Sequence, residues 1–156
     1  MPDISVLLPD GSSKSVPEGA TVLDVATSIG ARLAAAAVAG RVDGKLTDLG
    51  TVVSDGQTIA IVTETSPEGL DVLRHSTAHV MAEAVKDLFP AATFGIGPSI
   101  EDGFYYDFGV ERPFTPEDLV SIETRMRQIV AESVPFKRGE LDRLEALERF
   151  EGQPLK

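Results

Sequence analysis

The spacing of hydrophobic and polar residues changes several times along the chain, and each change marks a predicted element. Residues 3–8 (DISVLL) and 13–17 (SKSVP) are short strand-type runs joined by the turn cluster Pro9-Asp10-Gly11-Ser12, which predicts a hairpin. Thr21 opens a helical stretch, TVLDVATSIG, with Asp24 as its capping partner and Gly30 as its stop, and a second short helical piece, ARLAAAAV, follows. AVAGRVDGKLTDL and TVVSDGQTIAIVTE then alternate β-branched and polar residues around the turn pairs Asp43-Gly44 and Asp55-Gly56. Hairpin, helix and returning strands within residues 1–63 make an α+β plan, one helix packed across a mixed sheet, and a β-grasp (ubiquitin-like) roll fits it best.

The pattern restarts after residue 63. Ser66-Pro67 is a helix start, so residues 64–67 read as a linker and the helix runs to Phe89, before Pro90. On it Leu70, Leu73, Thr77, Met81, Ala84 and Leu88 form one stripe, the expected core face. TFGIGP and FYYDFGV, turning at Glu101-Asp102-Gly103, predict a second hairpin with aromatics packed along it. Thr115-Pro116-Glu117-Asp118 caps another helix, with Leu119, Ile122, Met126, Ile129 and Val130 as its apolar face. A short strand FKRG and a last amphipathic helix, ELDRLEALERFEG, complete the pattern. Residues 68–156 thus hold only one good pair of strands, fewer than an independently stable sheet needs, and read as an incomplete α+β domain.

Composition narrows the classes. No apolar run approaches the roughly 20 residues that cross a bilayer, and MPDISVLLPDG lacks a signal-peptide pattern, so the expectation is a cytoplasmic protein with no membrane partner. The absence of cysteine excludes disulfides, thiolate metal sites and cysteine nucleophiles within this chain. The net charge is −11, from 14 Lys plus Arg against 25 Asp plus Glu. The average field therefore repels nucleic acid, and any RNA contact must be local.

Candidate chemistry centres on RHSTAHVMAEAV, residues 74–85, which holds both of the chain's histidines, His75 and His79. Side chains four apart on a helix share a face, so both imidazoles can address one ligand, and by the same projection they fall nearly opposite the expected core stripe. Beside them lie Val72, Ala82 and Lys86, whose small members leave room for a ligand. Three readings are open: a polar helix face, a metal site, or an acid-base pair. Zinc would need Asp or Glu to complete its ligands, and Ser76 stands where the H-E-x-x-H pattern has its general base, so no metal site is assigned. Two imidazoles that titrate near neutral pH can position a water and move its proton, which suits ester hydrolysis if another group holds the oxyanion.

RHSTAHVMAEAVKDLFP followed by FGIGPSIEDGFYYDF closely resembles the start of the editing domain in the threonyl-tRNA synthetase family, and the preceding segment, with VAGRVDGKLTDL, resembles that family's TGS domain. The resemblance covers essentially the whole chain in the family's order. It implies a bacterial N-terminal fragment: a TGS β-grasp domain (1–63), a linker (64–67), and the first part of a threonyl/alanyl-tRNA synthetase-type editing domain (68–156). The parent would attach threonine to its tRNA using ATP, and this region would hydrolyse mischarged seryl-tRNA(Thr), because binding alone cannot exclude a smaller substrate. His75 and His79 match the family's editing histidines, and Lys156 in QPLK matches its lysine. Tyr105, Tyr106 and Asp107 of GFYYD are expected to line the cleft or to pack the hairpin.

The resemblance further implies the acceptor end of tRNA(Thr) as partner and a homodimeric parent. No cofactor is expected in this chain; ATP, magnesium and zinc would belong to a catalytic domain outside it. The chain lacks the family's Cys and His segment, so alone it is expected neither to aminoacylate nor to edit. The rival readings are a stand-alone RNA-binding or regulatory TGS module and a trans-editing hydrolase. Without GxxxxGK[ST] an intrinsic GTPase is disfavoured, and without a terminal Gly-Gly so is a ubiquitin-like modifier.

Overall fold

The computed structural model describes residues 2–136 and 139–153. Strands β1 (Asp3–Leu7) and β2 (Ser13–Pro17) pair antiparallel from Asp3↔Pro17 to Leu7↔Ser13, and their alternation turns Val6 and Val16 inward. The Asp10 carboxylate accepts the Ser12 amide and hydroxyl at 2.9 and 2.6 Å and so fixes the connecting turn. Helix α1 (Val22–Ile29) begins with the expected box: Thr21 accepts the Asp24 amide while Asp24 accepts the Thr21 amide. Its residues Val22, Val25 and Ala26, at helical spacing, are fully buried. A short helix, α2 (Ala31–Ala36), buries no residue.

Strands β3 (Ala37–Val42), β4 (Lys45–Thr47) and β5 (Ile59–Thr63) form an antiparallel sheet in the order β4-β3-β5. Asp43 and Gly44, at φ 50° and 80°, supply the two left-handed residues of a tight hairpin turn between β3 and β4. A parallel bridge between Leu7 and Thr58, with the Leu7 amide donating to the Gln57 carbonyl at 2.9 Å, sets β1 beside β5. The resulting order is β2-β1-β5-β3-β4, with α1 packed on β2, β3 and β5. This is the β-grasp arrangement that the sequence predicts. Val6, Val16, Val22, Val25, Val53 and Ile59 form its core.

Helix α3 (Pro67–Leu88) follows at once. Residues 64–67, read as a linker, form a bonded turn. The Ser66 amide and hydroxyl both donate to the Thr63 carbonyl, at 3.0 and 2.8 Å, and the same hydroxyl accepts the Gly69 amide at 3.0 Å as the helix cap. Arg41 of β3 grips Glu68 through Nε and Nη2, at 3.0 and 2.6 Å. The chain divides into two compact units between Leu73 and Arg74, so α3 begins in the first unit and runs into the second.

In the second unit, β6 (Thr93–Phe94) pairs with β9 (Phe108–Gly109), and β7 (Ser99–Ile100) pairs with β8 (Gly103–Phe104). These are the base and tip of one hairpin whose register slips by one residue opposite Asp107, where Gly95 donates to the Asp107 carbonyl and Asp107 donates to that of Ile96. Phe94, Tyr106 and Phe108 pack along it as expected, with Tyr106 stacked on Phe108 at 4.8 Å. Helix α4 (Pro116–Glu132) and helix α5 (Arg143–Arg149) follow. Phe136 and Gly139 of the expected strand FKRG are in no strand, and Lys137 and Arg138 lie outside the described residues.

Two predicted faces are corrected. Leu70, Leu73 and Leu88 are 41, 38 and 40% exposed, whereas Ala78, Ala84 and Val85 are fully buried. The face of α3 turned to the second core runs through Met81, Ala82, Ala84, Val85 and Phe89, so Met81 and Ala84 of the predicted stripe do pack on it, whereas its leucines do not. Alanines decide this, because they let neighbouring elements approach where leucines would hold them off. On α4 the buried face is narrower than expected: Ile122 and Ile129 are buried and Met126 partly so, but Leu119 and Val130 are exposed.

The start of α4 carries a pH dependence. Arg112 donates to both Asp118 oxygens, at 2.5 and 3.1 Å, and the Thr115 amide donates at 2.8 Å. The Arg112 hydrogen bonds above all, then the Thr115 amide, hold this carboxyl well below the usual carboxylate range. A carboxyl depressed on folding stabilises the fold above its unfolded pKa, about 3.9, and that stability is lost as pH falls below it. We expect Asp118→Asn to lower the melting temperature at pH 7, with the gap to wild type closing between about pH 4 and pH 2. A gap of constant size across that range would remove the ion pair from the account.

Candidate functional site

His75 and His79 sit on consecutive turns of α3, both exposed, with Nε2 of one 3.0 Å from Nε2 of the other. The rings meet edge to face, centroids 4.6 Å apart and planes at 81°. The helix brings the two rings within reach, since four residues advance the backbone by about 6 Å and return it to the same face, and the side-chain rotamers close the remaining distance. At 3.0 Å one ring nitrogen must donate and the other accept. The pair thus holds one proton between two nitrogens, the arrangement a proton relay requires. His79 lies on the flank of α3 that carries Ala82 and Lys86.

That flank opens on a cleft of about 630 Å³ lined by His79, Ala82, Lys86, Phe94, Tyr106, Arg149, Phe150 and Gln153, with Glu83 and Asp87 at its acidic side. Ala82 and Lys86, the expected neighbours of the imidazoles, do line it, and Lys86 lies two turns beyond His79. Asp87 is engaged by Arg125 Nε at 2.8 Å. Lys86 and Arg149 make no ion pair with any described residue, so two cations of an acidic chain face this cleft uncommitted. With Glu83 and Asp87 on the same cleft the formal charges of its lining balance, and the cations offer local contacts for an anionic group.

Of the three hairpin candidates, the structure brings only Tyr106 to the cleft. Its ring also belongs to the second core, stacking on Phe108 and covering Gly97, where a Cβ would run into the ring. Both expected roles, cleft lining and hairpin packing, fall on this one residue. Tyr105 is 48% exposed and does not line the cleft, and Asp107 serves the register slip through its backbone. Lys156 lies outside the described residues. Among the described residues no group of three or more His, Asp or Glu could hold a metal ion.

Phe94, Arg149, Phe150 and Gln153 were not singled out from the sequence. Their assembly depends on a contact across 59 positions: the Phe94 amide donates to Gln153 Oε1 at 3.0 Å, seating the end of α5 against β6. Nothing in the local pattern around either residue announces it. Helix α5 caps itself through Asp142 and Glu145 but buries no residue.

Comparison with known proteins bears on both units. Residues 4–63 match the family model described as TGS domain, so the first unit carries a TGS domain. Over 152 residues, 97% of its length, the chain is 54% identical to a threonine–tRNA ligase from Geobacter sp. (strain M21) and 53% identical to one from Citrifermentans bemidjiense. A threonine–tRNA ligase from Aromatoleum aromaticum is 54% identical over 98% of the chain. The chain spans 24% of each of these relatives, about a quarter of their length. Among the described residues no helix is long and apolar enough to cross a membrane.

Proposed function

We infer that this chain is the TGS and proofreading portion of a threonine–tRNA ligase, a cytoplasmic enzyme that joins threonine to its tRNA, and that its second unit contributes one wall of a site hydrolysing serine wrongly esterified to that tRNA. The contact between His75 and His79, at 3.0 Å on the rim of a cleft, carries this reading. Identity with ligases of that name over nearly the whole chain supports the substrate class. Lys156 is assigned with the histidines by family resemblance.

The chemistry follows from one shared proton. One ring takes a proton at Nε2 from water as the water oxygen bonds to the ester carbonyl carbon, giving up the hydrogen bond it accepted from the other ring. The carbonyl oxygen becomes an oxyanion. Collapse re-forms the carbonyl and breaks the bond to the ribose oxygen, which takes the proton from the imidazolium left by the first step. Free serine and an uncharged tRNA leave, and the Nε2–H of the second ring again donates to the emptied nitrogen of the first. Lys86 and Arg149 offset the phosphate charge that an RNA terminus brings into a chain of net charge −11.

Serine and threonine differ by one methyl group, which a synthetic pocket cannot reject by binding the smaller residue less well, whereas a hydrolytic pocket can reject the larger one. We therefore expect the full-length protein to release serine from seryl-tRNA(Thr) and to leave threonyl-tRNA(Thr) intact. Equal rates on the two esters, measured in single turnover, would overturn the proofreading reading.

A further inference from the structure

The Phe94 amide sits in buried core surroundings at the edge of β6, and its partner is Gln153 Oε1 at 3.0 Å. A backbone N–H only donates, so the carboxamide of Gln153 must present its oxygen to Phe94 and its NH2 group to the other side. The backbone amide of Gln153 donates to the Phe150 carbonyl at 2.9 Å, which also fixes the main chain from which the side chain leaves. The carboxamide nitrogen makes no hydrogen bond to any described residue, and Gln153 lines the same cleft as His79. The site thus holds a neutral donor whose orientation is locked by a contact made elsewhere.

We propose that Gln153 is a substrate-contacting residue whose Nε2–H donates to the carbonyl oxygen of the ester held beside His79. The proposal rests on the hydrolytic reading and supplies what the histidine relay lacks, a donor for the oxyanion that forms when water adds to the carbonyl. Such a donor is worth most when it is already aimed before the charge appears, because no reorganisation is then needed. The bond to Phe94 provides that aim. Charge neutrality suits the role: the carboxamide needs no counter-ion and does not compete with Lys86 and Arg149 for phosphate.

Two variants separate the donor from the lock. Gln153→Glu keeps an acceptor for the Phe94 amide but has no N–H, whereas Gln153→Met keeps the length and loses both. In the full-length protein, with seryl-tRNA(Thr) as probe, we expect Gln153→Glu to retain wild-type hydrogen exchange at Phe94 while its single-turnover rate at saturation falls about 10²-fold. Gln153→Met should lose that rate and also exchange at Phe94 at least about tenfold faster, as expected for a buried amide left without its partner. A Gln153→Glu variant that hydrolyses at the wild-type saturating rate, including one whose only change is a raised KM, overturns the donor role. Unchanged Phe94 exchange in Gln153→Met overturns the lock. A wild-type protein inert toward the serine ester overturns the hydrolytic reading and the donor role together, while the exchange measurement still reports on the lock.

Discussion

Replacing His75 and His79 together by alanine in the full-length protein is expected to lower single-turnover hydrolysis of seryl-tRNA(Thr) by about 10³-fold, the middle of the range for positioned acid-base groups. Either single replacement should cause most of that loss. One ring takes and gives back the proton while the other holds that ring's Nε2 in place through its own Nε2–H, so removing either disables the pair. The losses are therefore far from additive. Both side chains are exposed, so the melting temperature should stay within about 2 °C of wild type, and a rate lost without stability lost separates catalysis from folding. If the double variant deacylates at the wild-type rate, the pair is decoration on a helix and the relay is wrong.

The largest stability effect is expected from a change that helix propensity alone would favour. Gly69 lies in the first turn of α3, where alanine ordinarily stabilises a helix by about 1 kcal/mol relative to glycine. Here a Cβ would land on the Thr63 carbonyl oxygen, with the carbonyl carbon at 2.8 Å. That carbonyl cannot swing aside, since the Ser66 amide and hydroxyl both hold it. Relief means breaking the turn and the cap that Ser66 gives to Gly69, so the sign reverses. We expect Gly69→Ala to destabilise the first unit by about 3 kcal/mol, from overpacking and the hydrogen bonds given up. For a domain of this size that is a fall in melting temperature of about 10–20 °C, read by calorimetry. An increase would mean that the turn yields easily, and the tight junction between β5 and α3 would have to be abandoned.

The contrast between these sites shows what was legible in the sequence. Local signals were faithful. Asp43-Gly44 makes its tight turn, and Thr21/Asp24 and Thr115/Asp118 form their capping boxes, because each depends on residues within four positions of one another. The β-grasp could be read because its elements follow in order with short connections, although the Leu7–Thr58 bridge that closes its sheet spans 51 positions. Burial on α3 was legible only in part, at Met81 and Ala84. A helix that begins in one unit and ends in another has no single core face, and a projection weighted toward large residues passes over Ala78 and Ala82, whose value lies in what may come close to them.

The same distinction runs through the candidate site. The histidine pair was visible because a helix brings residues four apart together without help. Tyr106 was visible only as one of three neighbours, since the slipped register at Asp107, which the local sequence does not encode, decides which side chain reaches the cleft. Gln153 gave no signal at all, because its partner is a backbone amide, and an amide looks the same at every residue.

The closeness of His75 and His79 also makes the chain its own spectroscopic label. They are the only histidines in the sequence, so every imidazole resonance from this segment originates at the site. The facing nitrogens, 3.0 Å apart, cannot be equivalent: one is bonded to hydrogen and the other is not, and nitrogen-15 shifts distinguish the two forms clearly. A ligand that enters between the rings ends that inequivalence and is seen at once, without a tag, a fluorophore or an introduced residue.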